Sequence, residues 1–185
     1  MERILLEVRK AIAFKGKVLI GIDGMAGAGK STLARELAEV LNGEIIPMDD
    51  FFLPPELRTA ERLAEAGGNV HYERFSAEVG QNLVFGNSFD YGVFDCSKMA
   101  IDSIRHIENG QVVIVEGSYC LRPEFRDLYD VRIFMEVDED IQMKRITERN
   151  GSEMALRFKE LWIPMENKYF KECGVKECAD IVLRR

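Results

Sequence analysis

Eight residues near the start of the chain, Gly24-Met25-Ala26-Gly27-Ala28-Gly29-Lys30-Ser31, satisfy the pattern G-x-x-x-x-G-K-[ST] in full. Each residue type has a chemical reason to be there. Glycines let backbone N–H groups turn inward around a polyphosphate with no Cβ in the way. A helix opening near Gly29 adds free N–H groups and the positive end of its dipole. Lys30 can reach the β and γ phosphates, and the Ser31 hydroxyl can ligate Mg²⁺. The expected nucleotide contacts are Gly24, Ala26, Gly27, Ala28, Gly29, Lys30, Ser31 and Thr32. ATP and Mg²⁺ are the cofactors this motif implies.

Acids stand where such a loop could use them. Met48-Asp49-Asp50-Phe51-Phe52 closes a short apolar segment, and Glu116 closes another, Val112–Val115. Ligands of open α/β sheets sit beyond the carboxyl ends of the strands, so these carboxylates should face the phosphates. Asp49 there could accept the proton of an attacking hydroxyl, or hold Mg²⁺ through water. Ser31, Asp49 and Glu116 are the expected metal shell. Further along, Arg145 and Arg149 share one face of a helix that Asp140 would cap and Asn150-Gly151 would end. The planar arginine fork suits a transferring phosphoryl group, so Lys30, Asp49, Arg145 and Arg149 are the catalytic candidates.

The elements that must position these residues follow from periodicity. Residues 2–14 read as an amphipathic helix, and residues 17–23 as a strand buried on both faces. Helical spacing returns over 30–41, and Asn42-Gly43 stops it. Strands are expected at 44–48, 111–116, 131–137 and 179–183, five in all with the first. Helix and strand alternate, so the fold class is α/β with a parallel sheet. Between the second and third of these strands, residues 52–110 are too long for a connection and are expected to bind substrate. Within them a helix is expected from Pro54-Pro55 through Leu63, and another capped by Ser76 and closed by Gly86-Asn87. Residues 88–95 alternate as strands do, and 97–108 fit either period. Residues 138–158 carry the helix with Arg145 and Arg149, the segment that in P-loop kinases is a lid closing over the transferred group.

A chain of 185 residues, 46% apolar and 31% charged, has the make-up of one ordinary globular domain, residues 1–185. The net charge of −7, with no basic stretch, argues against nucleic acid as a partner. No apolar run approaches the ~20 residues of a membrane span, and the amino terminus has no signal-peptide pattern. The expectation is a cytoplasmic protein whose four cysteines, Cys96, Cys120, Cys173 and Cys178, are reduced thiols. Trp162 before Ile163-Pro164 marks a break or kink in the last helical region, and His106 is expected to face solvent.

The order of phosphate loop, Asp-Asp-Phe-Phe, insertion and Val113-Ile114-Val115-Glu116-Gly117 resembles the uridine kinase family of P-loop nucleoside kinases, from about Lys17 to Leu183. Gly21-Ile22-Asp23-Gly24 and Val93-Phe94-Asp95 carry the likeness as well. The resemblance implies a three-layer P-loop NTPase fold with a five-stranded parallel sheet, a substrate-binding insertion and a mobile lid. It implies transfer of the γ-phosphoryl of ATP to the 5′-hydroxyl of a pyrimidine ribonucleoside, uridine or cytidine. Matched by position, the substrate residues are Asp49 as base, Phe52, His71 where the family has a ribose-binding acid, Phe94 beside Asp95, and Met99 where it has a base-reading histidine. The two departures leave other acceptors open: nicotinamide riboside, whose kinases share the Asp-Asp-Phe-Phe stretch, pantothenate or another small alcohol. A nucleotide-sensing regulatory module is the reading of a different class, and a homo-oligomer is compatible with either.

Overall fold

The computed structural model describes all of Met1–Arg185. Its centre is β1 (Val18–Gly24), a strand buried at every position. Side chains alternate along a strand, so continuous burial requires cover on both faces. Val18, Ile20 and Ile22 pack with Ile4 and Val8 of α1 (Glu2–Lys15) and with Leu33 and Leu37 of α2 (Lys30–Leu41). Leu19 points into the opposite core.

After α2 come β2 (Glu44–Pro47), a 3₁₀ turn at Met48–Phe51, and a second 3₁₀ turn at Pro55–Leu57. Helix α3 is short, Ala60–Ala64, and Thr59 caps it, its side chain accepting from the Arg62 N–H. The helix expected from Pro54-Pro55 is thus two separate turns. Helix α4 (Tyr72–Phe75), a π turn at Ser76–Gly80 and α5 (Gln81–Phe85) run on as one rod. Its cap is His71, whose Nδ1 accepts from the Arg74 N–H at 3.2 Å. Ser76 is therefore interior to the rod, a correction with a simple cause: imidazole can supply the accepting atom that a hydroxyl usually supplies.

Strands β3 (Phe89–Asp95) and β4 (Ala100–Ile107) pair antiparallel as a separate hairpin with a bulge between Val93 and Phe94. Most of β4 is exposed, so no buried face imposes a two-residue alternation, and residues 97–108 read ambiguously for that reason. Then follow β5 (Val112–Glu116), β6 (Val131–Glu136), α6 (Glu139–Asn150), α7 (Ser152–Arg157), a π turn at Phe158–Trp162, α8 (Ile163–Glu172) and β7 (Ile181–Arg184). The irregularity expected at Trp162-Ile163-Pro164 is this π turn, with Trp162 edge-on to Phe158 at 4.7 Å.

The main sheet has five parallel strands in the order β2-β5-β1-β6-β7. Helices α1 and α2 cover one face, and the α4–α5 rod and α8 cover the other, a three-layer α/β fold. No helix is long and apolar enough to cross a membrane. The register pairs Ile22 of β1 and Pro47 of β2 with Glu116 of β5. The carboxyl ends of three neighbouring strands therefore open at one level, where the functional candidates lie.

Candidate functional site

The phosphate loop leaves β1 through Gly24, which has φ +135°. A Cβ there would sit 2.1 Å from the Met135 carbonyl oxygen, so the loop can lie this close to β6 only with glycine. Gly29, at φ +92°, opens α2, leaving the helix amides free for phosphate. Lys30 is buried and folded back, donating to the Gly24 carbonyl at 2.6 Å and the Met25 carbonyl at 3.0 Å. It also lies 3.3 Å from Ser118 Oγ. Ser31 and Thr32 are exposed at the start of α2.

Glu116 meets this loop from β5. Burial raises its pKa, while a hydrogen bond from Ser31 and the charge of Lys30 lower it, and Asp49 and Asp50 raise it again. Ser31, Lys30, Glu116 and Asp49 thus form one cluster. No group of three or more His, Cys, Asp or Glu side chains is disposed to hold a metal ion by itself. The donor set nevertheless fits Mg²⁺ bound with a nucleotide, which needs one hydroxyl, carboxylates reached through water, and phosphate oxygens. Two under-neutralised carboxylates beside that hydroxyl are what a cation would relieve.

The two adjacent acids differ. Asp50 is buried, and its Oδ2 accepts from the Tyr91 hydroxyl at 2.8 Å and pairs with Arg105 at 3.2 Å. Arg74 donates to the Asp50 carbonyl and, at 2.7 Å, to the Gly92 carbonyl. These contacts bind the turn to the β3–β4 hairpin. Asp49 keeps solvent access yet is so enclosed that desolvation raises its pKa; Lys30 lowers it, Asp50 raises it and Arg149 lowers it. Of the pair, Asp49 is the carboxylate that faces the phosphate loop.

Helix α6 lies on the loop. Arg145 donates to the Gly27 carbonyl at 3.0 Å, and the buried Gln142 donates to the Ala26 carbonyl at 3.0 Å. Ile146 packs on Ala26. Arg149 lies within electrostatic reach of Asp49, its guanidinium 5.8 Å from the centre of the Phe158 ring. Both arginines named from the sequence are therefore at the site. Gln142 was invisible there, because a single amide in a polar helix carries no pattern.

Helix α8 touches the loop from the other side. Glu166, buried, accepts from the Ala26 N–H at 3.0 Å and from the Ser118 hydroxyl at 2.7 Å. Tyr169 donates to Asp23 at 2.8 Å, and Asp23 also accepts from the Leu121 N–H at 2.9 Å and the Gly24 N–H at 2.7 Å. Burial drives the Asp23 pKa up to about 6 against these lowering contacts. Nothing in residues 163–172 advertises a phosphate-loop contact, since Glu166 and Tyr169 read as ordinary helix positions.

The remaining substrate candidates gather around Asp49. The stretch Asn69-Val70-His71 runs beside Phe51-Phe52-Leu53: the Leu53 N–H donates to Asn69 O at 3.0 Å and the His71 N–H to Phe51 O at 2.7 Å. Phe52 and Val70 form the bridge between them. The hairpin tip approaches as well, since the Cys96 thiol is raised first by burial and then by the charge of Asp49. Phe94 is buried, and Met99 turns the hairpin at φ +53°. Asp95 is committed to that turn, accepting from the Ser97 N–H at 2.7 Å and the Ser97 hydroxyl at 2.6 Å. The depression lined by Arg3, Glu7, Lys10, Asp130 and Asp180 lies at the amino ends of β6 and β7, the far end of the sheet from all of this.

Known proteins share this plan. The family described as AAA domain matches residues 20–169. A uridine kinase of Ligilactobacillus salivarius is 27% identical over 182 residues, spanning 90% of this chain and 84% of that protein. A uridine kinase of Halobacterium salinarum is 30% identical over 139 residues, spanning 71% of this chain and 61% of that protein. A solved structure described as a possible uridine kinase from Bacillus stearothermophilus has a TM-score of 0.71 at 20% identity, over 98% of this chain and 97% of that one, and so has the same fold.

Proposed function

We propose that this chain, which belongs to the AAA domain family, is a kinase that transfers the γ-phosphoryl of ATP to the 5′-hydroxyl of a ribonucleoside, uridine or cytidine first among them. The observation that carries the reading is the placement of Asp49. It is a solvent-reachable carboxylate between Lys30 and Arg149, next to a Ser31–Glu116 pair that suits a nucleotide-bound cation. Mere nucleotide binding needs no base at that point. The curated relatives named uridine kinase favour the acceptor.

In this mechanism the loop amides and Lys30 hold the phosphates, Lys30 exchanging the Gly24 and Met25 carbonyls for phosphate oxygens. Asp49 orients the acceptor hydroxyl and takes its proton as that oxygen bonds to the γ-phosphorus. The bond from the γ-phosphorus to the bridging oxygen breaks and ADP leaves. Arg145 and Arg149 neutralise charge on the group in flight. Ser31, with Glu116 and Asp49 through water, would hold Mg²⁺, which supplies charge neutralisation at the phosphates when bound. Residues 52–110 would present the acceptor, and 138–158 would close as a lid.

The test is phosphoryl transfer from ATP–Mg²⁺ to uridine, cytidine, purine nucleosides, nicotinamide riboside and pantothenate. Transfer to a pyrimidine nucleoside is expected, with Asp49→Asn losing transfer while keeping ATP binding. Transfer only to another acceptor would keep the mechanism and move the substrate, with Met99 the residue to examine. Tight ATP binding with no transfer to any alcohol would instead favour the regulatory module.

A further inference from the structure

Lys30 has a third partner, one that a nucleotide need not displace. Its ammonium carries three donors, and two of them go to the Gly24 and Met25 carbonyls at 2.6 and 3.0 Å. The third faces Ser118 Oγ at 3.3 Å. Ser118 is half-buried just beyond β5. Its own proton goes to Glu166 Oε1 at 2.7 Å, nearer than the Gly24 carbonyl at 3.2 Å. A carboxylate draws a hydroxyl proton more strongly than a neutral carbonyl does, so the Ser118 lone pairs are left for the ammonium.

The backbone is built around this serine. Gly117 before it has φ +129°, and a Cβ there would come 3.0 Å from Met48 Cβ, so the chain leaves β5 beside the Asp49 turn only with glycine. Tyr119 after it has φ +80°, a conformation that a bulky side chain adopts only under compulsion. Neighbours supply the compulsion: the Gly117 N–H donates to the Ile22 carbonyl at 3.0 Å, and the Tyr119 N–H to Asp23 at 3.3 Å. Strain that brackets one residue and is held in place by its surroundings is the mark of a functional position. Glu166 is fixed just as firmly. It is 7% exposed, its other oxygen accepts from the Ala26 N–H at 3.0 Å, and Tyr169, one turn further on, ties α8 to Asp23 at 2.8 Å.

We propose that Ser118, oriented by Glu166, is the anchor on which the Lys30 ammonium turns when it trades the two carbonyls for phosphate oxygens, and that both are positioning residues for the transfer. This rests on the kinase reading above and deepens it. With one donor kept on Ser118, the other two are aimed at the β and γ phosphates. An ammonium without that anchor still attracts the nucleotide, but it meets the charge of the transition state out of position. The cost of losing the anchor therefore falls on turnover.

The experiment joins kinetics to a spectroscopic readout of Lys30 itself. Ser118→Ala should lower kcat about tenfold and leave the acceptor KM within about twofold, while Ser118→Thr, which keeps the hydroxyl, should recover most of the turnover. Glu166→Gln should lower kcat about threefold in wild type and add almost nothing in Ser118→Ala, because both act through one chain of hydrogen bonds. In protein labelled with ¹⁵N-lysine, the signal that Lys30→Ala removes is the Lys30 ammonium. That signal should be sharp in wild type, free and with ADP–Mg²⁺, and should shift and broaden in Ser118→Ala as the ammonium exchanges with water. A Lys30 signal that is the same in both proteins, or a kcat that Ser118→Ala leaves within twofold, would overturn the anchor. Fully additive penalties would remove Glu166 from it. If wild type phosphorylates no alcohol at all, the kinase reading fails, and the Lys30 signal still decides whether Ser118 holds the ammonium.

Discussion

Asp23, Asp49 and Asp50 are three aspartates within one short span, and their surroundings give them different work. Asp50 is held by Tyr91 and Arg105 and joins elements, while Asp49 lies under the charges of Lys30 and Arg149, where the proposed function needs its base. Asp23 is fully enclosed, and desolvation outweighs its hydrogen bonds to bring its pKa up to about 6. A carboxyl with a raised folded-state pKa binds its proton more tightly folded than unfolded. The stability it lends is therefore greatest below its ordinary value of 3.8 and is lost as pH rises towards about 6. Above that range it changes no further. The stability difference between wild type and Asp23→Asn should fall by up to about 3 kcal/mol across this window and then level off. Urea unfolding at a series of pH values reads this, and a flat difference would mean that Asp23 titrates normally.

Helices α6 and α8 act as two clamps on the phosphate loop, and at this scale the side chains matter for what they join. Gln142 and Arg145 take the carbonyls of Ala26 and Gly27, and Glu166 takes the Ala26 amide. The loop is thus held before any nucleotide arrives, which lowers the ordering cost of binding. Removing Glu166 would strand both the Ala26 N–H and the Ser118 hydroxyl. Glu166→Ala should cost about 2–3 kcal/mol in a denaturant titration, and Glu166→Gln less, since its amide oxygen can still accept. A fully stable Ala variant would show that α8 does not pin the loop. The β3–β4 hairpin is a third element of this kind, fastened through Arg74, Tyr91 and Arg105 to the turn that bears Asp49.

At the scale of the whole molecule, the buried sheet is a rigid base, and the site stands where three of its strands end together. A ligand bound at that junction touches β1, β2 and β5 through their loops, so binding should stabilise the entire cooperative unit. ATP–Mg²⁺ at a hundred times its Kd adds about 2.7 kcal/mol. For a chain of this length that corresponds to a rise of about 5–10 °C in Tm. Differential scanning fluorimetry should show the rise in wild type and its loss in Lys30→Ala. An equal shift in that variant would place the nucleotide elsewhere.

Local signals were enough for much of this. The strands of the main sheet are legible because burial on both faces leaves continuous apolar runs, as in Val18–Ile20 and Val112–Val115. The phosphate loop is legible because it is contiguous: glycines, Lys30 and Ser31 must follow one another for a backbone to wrap a phosphate. Asp49, Glu116, Arg145 and Arg149 could be named because strand ends and helix faces say where side chains point. Tertiary structure alone decided the rest. Residues 100–107 became a strand without a buried face to mark it, and His71 capped α4 in place of Ser76. It also gave Asp49 and Asp50 opposite roles. Gln142 and Glu166 met the phosphate loop from distant segments, and their importance comes from lost solvent and close partners. Those are properties of packing, which residue types and spacing do not encode.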